Sequence, residues 1–216
     1  MNPRKKHTRA GEREELLQYH ADHRDAIRRR LSEFRSVPPT EYFYELVYCL
    51  LTPQSSAVHA DAAVAHLRRE NFLHRDVDPE PILRSRTNYI RFHRTKSRHL
   101  LRVKEQMQEI SRKLAEPLSA AELREWLVDS VDGFGYKEAT HFLRNIGRNN
   151  GLAILDRHIL RNLRRRGVIR SIPKSITKKN YLHIERRFSA YARTLGITVD
   201  ELDLVFWSLE TGEIRK

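Results

Sequence analysis

A lysine and an aspartate are the side chains of this chain best suited to covalent chemistry. Lys137 follows the glycine pair of Gly133-Phe134-Gly135, and Asp156 stands 19 residues later in the segment LAILDRHIL. A lysine amine that is shielded from water can attack a sugar carbon as a nucleophile. A nearby carboxylate can accept its proton and stabilise positive charge that develops on the sugar. Each residue also has an ordinary alternative, since a lysine can contact phosphate and an aspartate can cap a helix.

The two glycines favour a turn that binds phosphate. Without side chains at Gly133 and Gly135, main-chain N–H groups can approach an anion closely, and the next helix adds the positive end of its dipole. An ordinary corner between two helices has the same GxG pattern, so the pattern alone is weak evidence. Its position between two helical segments of a basic chain favours a DNA-binding hairpin.

The elements that must position these residues have the periodicity of short helices. Apolar residues recur at three-to-four spacing over residues 97–114, which predicts an amphipathic helix. The run Glu41–Leu51 is apolar nearly all round, which predicts a buried helix. Strand signals are weak throughout, so the sequence predicts an all-α fold.

Four residues have the types and positions of helix N-caps. Ser119 and Thr198 each stand three residues before a glutamate, which is the pattern of a capping box. Thr40 precedes the apolar run at 41–51, and Asp156 precedes a helical segment. We therefore expect each of these side chains to cap the helix that follows it.

The turn cluster GRNNG at residues 147–151 predicts a crossing between two parts of the chain. We expect two helical subdomains with a DNA-binding cleft between them. One would comprise residues 39–149 and end in the hairpin. The other would be discontinuous and comprise residues 1–38 and 150–216.

Composition narrows the possible partners and compartment. The net charge of +13 and the pI of about 10.2 favour a polyanionic partner, although a solvated basic surface without a partner remains the alternative. A single cysteine, Cys49, excludes an intrachain disulfide and a four-thiolate metal site. The basic N-terminus lacks an apolar signal core, and the apolar run near residues 42–51 is too short to span a bilayer. We expect an intracellular protein of the cytoplasm or nucleoid, without a membrane partner.

Several motifs together resemble a family of DNA repair enzymes. VDGFGYKEA followed by ILDRHIL resembles the helix–hairpin–helix superfamily of DNA base-excision glycosylases. The segments CLLTPQSSA, RFHRTK and the ending FWSLETGEIRK resemble one branch, the compact 8-oxoguanine DNA glycosylase/AP lyases best known from archaea. The resemblance implies a helix–hairpin–helix glycosylase fold and double-stranded DNA containing oxidised guanine as the partner of a monomeric enzyme.

The resemblance also implies a role for individual residues. Lys137 would be the Schiff-base nucleophile that releases the base and leads to strand cleavage by β-elimination, and Asp156 would assist it. The residues implied in DNA binding are Gly133, Gly135, His158 and Gln54. Those implied in base recognition are Phe92, Trp207 and Lys216. The resemblance implies no metal and no organic cofactor, apart from a monovalent cation at the hairpin.

Other interpretations stay open from the sequence alone. Phe92 and Trp207 also fit as core aromatics, Gln54 as a helix cap and His158 as a surface residue. The same chemistry could act on another damaged base. A noncatalytic helix–hairpin–helix protein that only binds DNA is the alternative outside enzymology.

Overall fold

A computed structural model describes residues 9–214, with side chains from residue 11 onward. All regular elements in this range are helices, which confirms the predicted all-α class. Two short 3₁₀ turns, Pro39–Glu41 and Arg86–Asn88, stand beside ten α-helices. The α-helices are α1 (Arg9–Arg35), α2 (Tyr42–Leu51), α3 (Ala57–Arg69), α4 (Glu80–Arg84), α5 (His93–Ala115), α6 (Ala120–Ser130), α7 (Tyr136–Asn145), α8 (Arg157–Arg165), α9 (Lys178–Leu195) and α10 (Val199–Thr211).

The chain divides into two compact units. One is the continuous segment Ser36–Asn150, which holds α2 to α7. The other combines the segments on either side of it, of which residues 9–35 and 151–214 are described, and holds α1 and α8 to α10. The chain returns from the continuous unit to the other unit inside the GRNNG turn, where glycines allow it to change direction.

Helix α2 forms the centre of the continuous unit. Every residue of α2 after Tyr42 is buried, including Glu45, as a sequence that is apolar nearly all round predicts. The helix packs against α3, α5 and α7. Helix α5 turns Leu100, Val103, Ile110 and Leu114 into the same core, which confirms the predicted amphipathic periodicity. Cys49 is also fully buried in this core.

The expected cap at Thr40 is wrong. The residue that precedes α2 is Glu41, and no side chain caps the helix there. Pro38 and Pro39 start a 3₁₀ turn that includes Thr40 and runs directly into α2. Because Glu41 already has helical backbone angles, α2 has no residue of extended conformation at its start, which a side-chain cap requires.

The discontinuous unit is held by capped helices that pack on α10. Helices α1, α8 and α9 all contact α10. Thr198 and Glu201 form the predicted capping box at its N-terminus, as Ser119 and Glu122 do for α6. Asp156 caps α8 by accepting main-chain hydrogen bonds, which confirms the expected role. Within the described part of the chain, no helix is both long and apolar enough to cross a membrane.

Candidate active site

The hairpin between α6 and α7 requires glycine at its first position. Gly133 has φ of +87°, in the left-handed region that side chains disfavour. A Cβ atom added there would lie 2.3 Å from His99 Nδ1 and 3.1 Å from Leu50 Cδ2. Packing against α5 and α2 therefore demands glycine independently of any phosphate. Among residues 9–214 the Gly133 N–H has no acceptor.

Gly135 has a different local role. Its backbone is extended, with φ of −107°, so its conformation carries no strain. Its N–H donates to Glu138 Oε2 at 3.2 Å, which is one half of a capping box at the start of α7. Sequence reasoning did not single out Glu138, although a glutamate three residues after a helix start is the signal of this contact.

Lys137 is the second residue of α7, and its side chain is 23% exposed. Its amine lies 3.9 Å from Glu138 Oε1, so one carboxylate contacts both the hairpin N–H and the candidate nucleophile. The preceding turn is fastened to α5 by an ion pair between Asp132 and Arg102. Lys137 thus directly follows a braced turn, and its side chain is partly buried.

A second lysine of the same unit is buried, and sequence reasoning quoted it only inside the motif RFHRTK. Lys96 is 6% exposed, and its Nζ donates to the carbonyl oxygens of Leu51 and Pro53, each at 2.7 Å. The pKa of Lys96 is lowered to about 8, chiefly by burial and secondly by the positive charge of Lys137. The signal in the sequence is its register, since Lys96 falls four residues before Leu100 on the apolar stripe of α5.

Gln54 and Phe92 are exposed and share an unusual backbone conformation. Gln54 has φ of +56° and Phe92 has φ of +60°, both in the left-handed region. Phe92 is 51% exposed, so it is not the core aromatic that the sequence also allowed. The Arg91 guanidinium lies 4.9 Å from the Phe92 ring centroid. An exposed aromatic ring beside a cation is suited to stacking on a nucleic acid base.

Asp156 uses its two carboxylate oxygens differently. Oδ1 accepts the main-chain N–H groups of His158 and Ile159, both at 2.8 Å. Oδ2 accepts the indole N–H of Trp207 at 3.2 Å. Capping therefore occupies one oxygen, and the second is held by a side chain that comes from α10. The capping role and a chemical role are compatible in this geometry.

His158 belongs to the same cluster. Its ring lies edge-on to Trp207, with 5.9 Å between the ring centroids. Its Nδ1 lies 3.8 Å from Glu210 Oε2, and its side chain is 17% exposed. His158 is therefore packed in a polar cluster and is not a free surface residue of α8. Glu210, which sequence reasoning missed, also accepts a hydrogen bond from Asn162 at 3.2 Å.

The segment that leads into Asp156 is fixed by two buried side chains of α9. Tyr181 donates its hydroxyl to the Ala153 carbonyl at 2.6 Å and accepts the Leu155 N–H at 3.2 Å. Glu185 Oε1 accepts the Ala153 N–H at 2.9 Å. This segment has no regular secondary structure, so these bonds satisfy main-chain groups that would otherwise be buried without a partner.

The predicted site residues therefore form two groups. The continuous unit holds Gln54, Phe92, Gly133, Gly135 and Lys137, and the other unit brings Asp156, His158 and Trp207 into contact. Lys216 lies outside the described residues. Among residues 9–214, no group of three or more His, Cys, Asp or Glu side chains is placed to hold a metal ion.

Comparison with known proteins gives a consistent result. A family model described as 8-oxoguanine DNA glycosylase matches residues 27–197. An 8-oxoguanine DNA glycosylase/AP lyase of Fusobacterium nucleatum is 38% identical over 199 residues, which covers 88% of this chain and 91% of the relative.

Two solved structures have the same fold. The 8-oxoguanine DNA glycosylase of Thermotoga maritima superposes with a TM-score of 0.85 at 28% identity, covering 97% of this chain and all of that one. The 8-oxoguanine glycosylase/lyase of Methanocaldococcus jannaschii, in complex with a 15mer DNA containing 8-oxoguanine, gives a TM-score of 0.80 at 30% identity. The match covers 93% of this chain and 99% of that one.

Proposed function

The chain belongs to the 8-oxoguanine DNA glycosylase family, and from this premise we propose that it excises 8-oxoguanine from DNA and then cleaves the strand. The observation that carries the proposal is the position of Lys137, a partly buried side chain at the start of the helix that follows the glycine hairpin. A phosphate held at the hairpin would bring the sugar of the bound strand close to this amine, which can attack it as a nucleophile. The net charge of +13 on the chain and a hairpin suited to phosphate agree with DNA as the substrate.

The chemistry follows from the amine. Lys137 Nζ forms a bond to C1′ of the deoxyribose while the bond from C1′ to the base breaks, and the base leaves with the bonding electrons. Loss of a proton from nitrogen and opening of the sugar then give an imine between Lys137 and C1′. The imine acidifies the C2′ proton, whose removal expels the 3′ phosphate by β-elimination. The chain thus acts as a DNA glycosylase and as an AP lyase.

Asp156 supplies the negative charge in this scheme. A carboxylate near the sugar stabilises the oxocarbenium-like transition state and accepts the proton that the attacking amine loses. Its Oδ1 is committed to capping α8, so Oδ2 is the oxygen that acts on the substrate. The Trp207 N–H holds Oδ2 in a defined direction before the substrate arrives.

DNA binding uses the hairpin and the start of α8. Gly133 offers an N–H to a backbone phosphate, and Gly135 offers a second once the Glu138 carboxylate releases it. His158 makes a further phosphate contact. A monovalent cation is also proposed at the hairpin, where the Val131 carbonyl, which accepts the Phe134 N–H at 3.0 Å, has a second lone pair to offer it. Such a cation would offset phosphate charge. The chemistry itself requires no metal or organic cofactor.

Recognition of the lesion requires extrusion of the nucleotide, which costs a few kcal/mol of unstacking. Gln54 fills the space that the nucleotide leaves in the duplex. Phe92 and Trp207 stack on the extruded base, and Lys216 contributes to its discrimination from guanine. The two bases differ at N7, which donates a hydrogen bond in 8-oxoguanine and accepts one in guanine, so a single positioned acceptor separates them. We place the enzyme with the genome inside the cell, where it acts on double-stranded DNA as a monomer.

A panel of duplexes tests the substrate. Each would contain one lesion, either 8-oxoguanine, an oxidised pyrimidine or a mismatched base, and strand cleavage would be measured under single turnover at fixed salt. The proposal predicts that 8-oxoguanine is cleaved fastest. Faster cleavage at an oxidised pyrimidine or a mismatch would show that the enzyme applies the same chemistry to a different lesion. Absence of cleavage on every duplex would leave only a DNA-binding protein.

A further inference from the structure

Lys96 is a buried cation with a complete set of hydrogen-bond partners. An ammonium group has three N–H donors. Those of Lys96 reach the Leu51 carbonyl at 2.7 Å, the Pro53 carbonyl at 2.7 Å and the Ser55 hydroxyl at 3.3 Å. All three acceptors lie at the end of α2 or in the turn between α2 and α3. One side chain of α5 therefore bonds to three alternate residues along this turn.

The turn carries Gln54 in a strained conformation. Its φ of +56° is uncommon for a residue other than glycine and persists only where surrounding contacts impose it. The Gln54 side chain itself is exposed. The Ser55 N–H donates to the Thr52 carbonyl at 3.1 Å and closes a turn with Gln54 at its third position. The bonds from Lys96 to the Pro53 carbonyl and the Ser55 hydroxyl brace this turn on either side of Gln54.

The hydrogen bonds around Lys96 also reach the residue before Phe92. Ser55 Oγ accepts from Lys96 Nζ and also from the Arg91 N–H, at 3.1 Å. Arg91 immediately precedes Phe92, whose φ of +60° is again in the left-handed region. Phe92 also begins the first turn of α5, since its carbonyl accepts the Lys96 N–H at 3.0 Å. One or two hydrogen bonds thus link a single ammonium group to the chain neighbours of both exposed, strained residues.

Stability alone does not account for a lysine at this position. Burying a charge is costly even when it is hydrogen-bonded, and an apolar residue of similar volume is often equally good or better in a core. The lowered pKa of Lys96, caused first by burial and then by Lys137, reflects that cost. A cation that binds two carbonyl oxygens does, however, fix a turn more completely than an apolar side chain can.

We propose that Lys96 is a positioning residue that sets Gln54 and Phe92 in their DNA-contacting conformations before DNA binds. The inference rests on the proposed function, because it assigns both residues to contacts with an extruded nucleotide and its duplex. Preorganised contacts avoid the entropy of ordering the turn during binding. Lys96 therefore acts through these two residues and not on the reacting atoms.

Two substrates separate this role from a general loss of structure. A duplex with 8-oxoguanine needs both Gln54, to fill the duplex, and Phe92, to stack on the base. A single-stranded oligonucleotide with a preformed abasic site needs neither, but it still needs Lys137 to form the imine. Lys96→Met is expected to slow base release from the duplex by about tenfold or more, the scale of a displaced substrate contact. Borohydride trapping on the single strand should stay within about twofold of the parent.

A double-mutant cycle identifies the residue through which Lys96 acts. Gln54→Ala by itself should slow duplex cleavage. In that background Lys96→Met should slow cleavage by a smaller factor than it does in the parent, because the Gln54 contact that Lys96 supports is already absent. Lys104→Met is the matched control, since Lys104 also lies on α5 and donates to a carbonyl, that of Arg75, at 2.5 Å. It should leave both substrates unaffected. Strictly additive losses for Lys96 and Gln54, measured together with an additive cycle for Phe92→Ala, would overturn the proposal.

A folding defect does not block the test. If Lys96→Met unfolds, Ser55→Ala removes only the shared acceptor and leaves the Lys96 ammonium bound to its two carbonyl oxygens. This variant should also slow duplex cleavage more than trapping on the single strand. Equal losses on duplex and single strand in a folded variant would show that Lys96 acts on Lys137 and not on the two contacts. A parent enzyme inactive on the duplex would instead refute the proposed function, whatever the variants do.

Discussion

Trp207 donates its indole N–H to Asp156 Oδ2 at 3.2 Å, while Asp156 Oδ1 accepts two main-chain N–H groups of α8. The carboxylate is thereby fixed on both sides. The residues are 51 positions apart in sequence and meet because α10 packs on α8. Trp207, which the family resemblance implied as a platform for the extruded base, thus also contacts the carboxylate that we propose acts in catalysis.

Substitution of Trp207 by phenylalanine separates these two contributions. Phenylalanine retains an aromatic ring for stacking but has no N–H to orient Oδ2. A hydrogen bond to a charged group contributes about 1.5–3 kcal/mol, so we expect Trp207→Phe to slow base release by about tenfold or more. Single-turnover kinetics measure this rate, with Trp126→Phe as the control at the other tryptophan of the chain. An unchanged rate would mean that the indole N–H has no part in catalysis.

Replacement of Asp156 by asparagine removes the charge but retains the cap. Asparagine is as good an N-cap as aspartate, but its amide nitrogen cannot accept the Trp207 N–H, so we expect a modest fall in melting temperature and a DNA affinity near that of the parent. The rate of base release should fall by about 100-fold or more, the scale for loss of a group that stabilises transition-state charge. Melting curves, binding and single-turnover cleavage check the three expectations. Near-normal cleavage would show that Asp156 is a structural cap only.

Contacts between near neighbours were predictable from sequence. The capping boxes at Ser119 and Thr198 and the cap at Asp156 each involve residues within three positions, so residue type and spacing suffice. The burial of α2 was also predictable, because its sequence is apolar nearly all round. The prediction that Thr40 caps α2 was wrong because Pro38 and Pro39 start a 3₁₀ turn in place of the usual extended cap residue.

Contacts between distant segments were not predictable in the same way. Lys96 bonds to residues more than 40 positions away, and Tyr181 and Glu185 bond to the segment before Asp156 from α9. Residue type gives no partner for such contacts. A lysine on the apolar stripe of an amphipathic helix was nevertheless a usable signal, since its ammonium group must find acceptors in the core.

Gly133 offers a test of the hairpin that does not involve DNA. Alanine there would meet both the positive φ and the His99 ring, so we expect a loss of about 2 kcal/mol or more in the free energy of unfolding. Gly196→Ala is the control, because Gly196 has a similar φ of +69° but no atom within 4 Å of the added Cβ. It should cost only about 1 kcal/mol.

The contribution of His99 can be isolated in the Gly133→Ala background. A second substitution, His99→Ala, should recover part of the lost free energy of unfolding, because it removes the nearest atoms to the new Cβ. Urea unfolding measures all of these variants. Equal costs at Gly133 and Gly196, without recovery, would argue that backbone conformation alone selects glycine at the hairpin.

The capping box of α10 should make stability depend on acid pH. Burial raises the pKa of Glu201, but hydrogen bonds from the Thr198 N–H and hydroxyl outweigh it and, with His20 and Arg28, leave the pKa below its usual value of 4.5. A carboxyl whose pKa is lower in the folded state contributes stability above its unfolded pKa and loses it as pH falls through the folded pKa. The stability difference between the parent and Glu201→Gln should therefore shrink below about pH 4.5. Urea unfolding across this range checks the trend, and a difference independent of pH would contradict the assigned hydrogen bonds.

The central claim is that the Lys137 amine forms a covalent imine with the sugar. Borohydride reduction during a reaction with duplex DNA containing 8-oxoguanine, followed by mass spectrometry of the digested adduct, tests it most directly. We predict one adduct on the peptide that contains Lys137, and none in Lys137→Gln, while that variant still binds the duplex. An adduct of undiminished yield in Lys137→Gln, or one mapped to another lysine such as Lys96, would contradict the account.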